Sequence, residues 1–233
     1  MDHTKFLTTI LLVYLAFLTL PVAQAQVSYG GEPLSFSQEF KNSINSRQSI
    51  SVEHVSPPDL SDVIDTDAVG KAVKVNFSLT NSGTWLELEN GDRIWQLEIR
   101  SSHAKSLAIL YEDFYLPEGA TLFAYSCDKS YVLGSYNSKN NSYHRRFLTG
   151  DVPGECVIIE YFEPKKSKGL GTFKIYELMY LFNKKKDNIV GQTDFGDSES
   201  CNININCTSA SDWSDEKQGV IKITKYINGL WFN

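Results

Sequence analysis

The sequence predicts an all-β protein whose main body is an antiparallel β-sandwich. Three observations carry that prediction. Short apolar runs alternate with polar residues at period two, the pattern of half-buried strands. The runs recur about every ten residues with glycine, proline or asparagine between them, as in a sandwich of short strands. No long helical pattern and no internal repeat interrupts them, which argues against bundles, propellers and solenoids. With 233 residues, 42% hydrophobic and 21% charged, the chain has room for one sizeable domain plus appendages.

In chain order, residues 1–25 hold a lone Lys5, an apolar run over 6–20, then Pro21 and Ala23-Gln24-Ala25. The small-x-small ending marks a signal peptide cleaved between Ala25 and Gln26, and the run of about 15 residues falls short of the ~20 that a spanning helix needs. The protein is therefore expected to be secreted, with no membrane attachment after cleavage. Residues 26–67 are polar and turn-rich, with Gly30-Gly31, Pro33 and Pro57-Pro58, and read as an extended arm lying on the domain with loose ends.

The strands follow. Val73, Val75, Phe77 and Leu79 share one face, and Lys74, Asn76 and Ser78 the other. Trp85 opens the next run, in which Leu86 and Leu88 oppose Glu87 and Glu89. Asn90-Gly91-Asp92 supplies residues that tolerate positive φ, and 94–99 returns with Trp95, Leu97 and Ile99 on one face, so the pair reads as a hairpin. Further runs cover 107–111, 121–125, 131–136, 156–162 and 172–182, with a turn at Leu116-Pro117-Glu118-Gly119. The main body thus spans 26–183, and 184–195 form a linker. Lys184, Lys185 and Lys186 read equally as a processing site or as a solvated turn.

Four cysteines in an exported chain allow three pairings. Cys127 and Cys156 are expected to bond to each other, stapling the strand that ends at Tyr125 to the one that begins at Val157. Cys201 and Cys207 have neither the spacing nor the histidine partners of a zinc pair. No metal or cofactor is expected.

GDSESC over 196–201, NININC over 202–207 and EKQGVIKITKYINGLWFN over 216–233 resemble the start of the mature protease domain of the secreted lysyl endopeptidases, a bacterial branch of the trypsin-like serine proteases. GGEPLSF over 30–36, NGDRIWQLEIRSSHAKSLAILYEDFYLPEGATLFAY over 90–125, VLGSY over 132–136 and VIIEYFEP over 157–164 resemble the propeptide of the same family, in the expected order. The resemblance implies that 26–183 are a propeptide that assists folding and delays activity. It implies that 196–233 are the truncated start of a trypsin-like double β-barrel, and that Cys201 and Cys207 pair with cysteines further along. The partner of the propeptide would be its own protease domain, and the substrates of the complete enzyme would be proteins. By the same resemblance the mature chain starts near Gly196, yet Phe195 precedes it where an enzyme cutting itself after lysine would want lysine. Either the cut follows Lys186, or another protease makes it, or the specificity is not for lysine.

Trypsin-type hydrolysis needs a serine nucleophile, a histidine base and an orienting aspartate. The histidines are His3, His54, His103 and His144, and none follows Gly196. The triad of a complete enzyme would lie beyond Asn233, so this chain alone is expected to be inert. The tail over 219–233, lacking the barrel that would bury Trp231, is expected to be disordered, to aggregate or to dock on the propeptide. A net charge of -6 gives no support to nucleic-acid binding. The alternative is a secreted β-sandwich binding or adhesion module, with Trp85, Trp95, Tyr111, Tyr115 and Tyr125 as an aromatic platform for sugar. Alternation favours packing Trp95 in the core instead.

Overall fold

The computed structural model describes residues 28–38, 40, 49–64, 68–182 and 225–232. The chain enters through β1 (Ser51–His54) and β2 (Ala68–Ser78), then turns through β3 (Thr84–Glu87) into β4 (Arg93–Arg100). Next come β5 (Ser106–Tyr115), β6 (Thr121–Ser126) and β7 (Val132–Tyr136). The two-residue strands β8 (Phe147–Leu148) and β9 (Val152–Pro153) precede β10 (Cys156–Glu163) and β11 (Thr172–Leu181). A closing hairpin consists of β12 (Lys225–Ile227) and β13 (Leu230–Phe232). The described residues are all-β, in curled, almost wholly antiparallel sheets.

One sheet has six strands in the order β1-β4-β10-β6-β7, with β3 also on β4. The other has seven, in the order β12-β13-β2-β11-β5-β8, with β9 also on β5. β4 follows the alternation in its sequence, whereas β5, β6 and β10 are buried on both faces over most of their length. In β4, Trp95, Leu97 and Ile99 are fully buried on the inner face, while Gln96 and Glu98 point outward. The inner faces of the two sheets share one core, in which the Phe173 ring meets Trp95 at 5.4 Å and Tyr111 and Tyr161 at 5.5 Å each, all edge-on. Two register shifts in β11 bend the seven-stranded sheet over this core. The predicted hairpin is present: Trp85 faces Trp95 across β3 and β4, and Gly91 takes a φ of 85° at the turn. So is the predicted disulfide, Cys127 to Cys156, which ties the end of β6 to the start of β10.

The N-terminal arm lies on the domain as expected, and its described residues are tied down at both edges of the six-stranded sheet. Tyr29 N donates to Ser135 O at 3.0 Å and Ser135 N to Gly30 O at 2.9 Å, which seals the β7 edge. The single turn Leu34–Phe36 then lies on the outer face of the six-stranded sheet, with the Phe36 ring 5.0 Å from that of Tyr125. β1 seals the opposite edge by pairing parallel to β4, from Ser51↔Leu97 to His54↔Arg100. A four-residue strand with only Val52 apolar carries too little periodicity to be read from sequence, and its partner edge supplies what its own residues lack. Among the described residues no helix is long and apolar enough to cross a membrane.

Candidate functional site

β2 is bonded to β11 along one edge, and its other edge would present a row of unpaired backbone groups. The hairpin of β12 and β13 occupies that edge. Its turn is Asn228-Gly229, with φ of 50° and 83°, the positive values that a two-residue hairpin turn requires and that this dipeptide tolerates best. β13 then adds to β2 with Leu230↔Lys71, Trp231↔Gly70 and Phe232↔Ala68, and Ala72 N donates to Gly229 O at 2.9 Å.

The register places Trp231, Gly70, Leu181 and Ser106 abreast on the outer face of the seven-stranded sheet. Gly70 has no side chain, and the neighbouring indole is 5% exposed in a cluster with Ala108, Leu110, Met179 and Leu181. An aromatic residue beside a strand glycine covers the backbone that the glycine leaves bare. A Cβ on Gly70 would lie 3.1 Å from the Tyr180 carbonyl oxygen and 3.4 Å from Met179 Cγ, so the position is nearly full without one. Burying an indole contributes about 3–5 kcal/mol, and the few edge hydrogen bonds about 1 kcal/mol each. Ordering residues 225–232 costs on the order of 1–1.5 kcal/mol per residue. These terms nearly cancel, so the hairpin is held only weakly.

A second region gathers polar groups at the disulfide end of the six-stranded sheet. His54, Val55, Ser56, Pro57, Arg100, Ser102 and Glu155 line a groove of about 380 Å³. A neighbouring groove of about 470 Å³ runs over Cys127, Asp128, Tyr131, Glu155 and Cys156. Glu98 lies within 4.8 Å of both sulfurs, but the sulfurs are spent on their own bond and offer no thiolate to a metal. Arg100 is neutralised by Glu98 at 2.5 Å. Glu155 accepts the backbone N–H of His103 at 2.7 Å, and the exposed His144 ring packs on Tyr143. Among the described residues no ion pair joins a carboxylate to the ring of His54, His103 or His144.

Three buried carboxylates, Glu160, Glu163 and Glu177, escaped sequence reading, and the first two organise their surroundings. Glu160, 1% exposed, accepts from Gln96 Nε2 at 2.9 Å, Tyr125 O–H at 3.1 Å and Ser35 N–H at 3.2 Å, and so pins the arm to the sheet. Glu163, with no exposure, pairs with Arg93 at 2.5 Å and accepts from Tyr161 O–H and the amides of Gly169 and Gly171. Both are satisfied by several donors, the condition for a buried carboxylate to be tolerated. Their signal was a lone acidic residue inside an otherwise apolar run, in VIIEYFE.

The aromatic platform of the alternative reading does not assemble. Trp95, Tyr111 and Tyr125 are buried, and Trp85 is half-buried beneath the Arg93 guanidinium at 3.8 Å; Tyr115 alone of the five is exposed. Ala25, Gln26, Lys184, Lys185, Lys186, Phe195, Gly196, Cys201 and Cys207 lie outside the described residues. No protein-family model matches the chain.

Proposed function

We propose that this chain is the N-terminal part of a secreted trypsin-like serine endopeptidase of the lysyl endopeptidase type: a propeptide with a β-sandwich body, followed by the first strands of the protease barrel. The observation that carries the reading is the hairpin over 225–232. It lies in the segment whose residues resemble the protease, yet it forms the edge of the propeptide's sheet and buries Trp231 there. A propeptide that handles its own protease portion is expected to make such a contact. Two sheets around one shared core support the sandwich, and the Cys127–Cys156 bond supports an oxidising, exported setting. The complete enzyme would hydrolyse protein substrates by acyl transfer through a His, Asp and Ser triad supplied beyond Asn233. The binding-module alternative loses ground because its aromatic platform is mostly buried.

Sequencing the locus through and past codon 233 tests this directly. The expected result is a continuing frame with a cysteine, then a histidine in an Ala-x-His-Cys-like context, and later a Gly-Asp-Ser-Gly-like segment. A verified stop with no such frame would overturn it. The purified chain is also expected to inhibit a lysyl endopeptidase, which a sugar-binding module would not do.

A further inference from the structure

We infer that the open edge of β2, with the outer face formed by Ala108, Leu110, Met179 and Leu181, is a holding site for the hairpin over 225–232, which sits there as a separable ligand. The inference rests on the proposed reading for its biological meaning and names the partner of the site within that reading. Three features make the hairpin a ligand rather than part of the body. Its turn, Asn228-Gly229, forms from local preference, and β12 pairs with β13 alone, so the element carries its own geometry. Its ladder to β2 is short and irregular, with a register shift between Trp231 and Phe232. Its chief side-chain anchor is the indole of Trp231, which enters a face otherwise made by the body's own strands.

Docking excludes other pairings of β13. A strand has two edges, and both edges of β13 are filled, by β12 and by β2. The apolar side of Trp231 is filled as well. While held, the hairpin cannot contribute that strand or that indole to a second sheet. Release from β2 therefore has to precede its entry into the protease barrel, and the holding site delays that step.

The test uses the full chain, its Trp231→Ala variant and a fluorescein-labelled synthetic peptide of sequence 219–233, followed by anisotropy. The peptide is expected to bind the variant, whose site is vacated, at least tenfold more tightly than the wild-type chain, and to slow amide exchange at Ala72. The same peptide carrying Trp231→Ala is expected to bind neither chain. Equal binding to both chains, or binding to neither, would overturn the inference. So would loss of the β-sheet circular dichroism in the variant, because a separable ligand is not needed for the body to fold. The outcome is independent of the locus: a stop at codon 233 removes the protease reading but leaves a positive titration standing. A protease frame with a failed titration removes the site alone.

Discussion

The two sheets are each covered from outside by a chain segment, and the covers differ in chemistry. Over the six-stranded sheet the N-terminal arm is keyed by polar groups, with Glu160 accepting from Ser35, Gln96 and Tyr125 and with backbone bonds at both sheet edges. Over the seven-stranded sheet the C-terminal hairpin is held at one edge and by the Trp231 indole in an apolar cluster. A buried hydrogen-bond network admits one arrangement and penalises every other, because each unpaired member is costly. Apolar burial rewards area and accepts any segment that supplies it. The arm is therefore built to stay, and the hairpin is built so that it can leave.

The largest effect is expected on the arm's side. The disulfide closes a loop with a sequence separation of 29, so replacing Cys127 and Cys156 by serine should cost about 3–4 kcal/mol in urea unfolding. It joins the strands that present Tyr125 and Glu160, so amide protection of Tyr29 and Ser135 should fall while that of Ala72 stays. Loss of both together would break the distinction between the two covers. Next, Glu160→Ala removes the acceptor shared by Ser35, Gln96 and Tyr125 and is expected to cost about 3 kcal/mol. Limited proteolysis should then cut first within residues 28–40; a first cut within 225–232 would contradict the comparison.

Gly70→Val should act on the hairpin, by crowding the Tyr180 carbonyl, Met179 and the Trp231 row, with a cost of about 1–3 kcal/mol read as faster exchange at Ala72. Trp231→Ala should lower the unfolding free energy of the body by only about 1.5–2 kcal/mol, the holding energy that a tenfold gain in peptide affinity requires, since burial and ordering nearly cancel there.

The mildest test is pH. Burial, reinforced by the charge on Glu160, raises the Tyr125 phenol above its ordinary value of 10.0. The folded state thus favours the neutral phenol, so this stabilisation is complete below pH 10 and drains as pH rises through the raised pKa. Asp128 runs the other way. Hydrogen bonds from the Ser126 hydroxyl, then from the Ser130 amide and hydroxyl, lower its carboxyl from 3.8 to about 2. Its contribution is present above pH ~4 and lost as pH falls toward 2. Alkaline titration should loosen the arm in the wild type and leave Tyr125→Phe, already lacking that hydrogen bond, without the added loss.

Much of the body was legible. The alternation of β4, the Asn90-Gly91 turn and the Cys127–Cys156 bond follow from residue types and spacing, and each is present. The tail left three outcomes open, and docking is the one realised over 225–232. Asn228-Gly229 was a hairpin signal in plain view, but nothing near it in sequence names β2 as the acceptor. Glu160 was equally visible, yet its partner Ser35 is 125 residues away.

By itself the sequence determined the longer strands of the body, the turns between them and their apolar faces, because those depend on residues a few positions apart. Only the tertiary structure decided that β1 runs parallel beside β4, that Ser35 meets Glu160 and that the hairpin closes the edge of β2. Open edges and dry faces exist only after the sheets have formed, so their occupants are chosen by what the assembled body leaves unsatisfied.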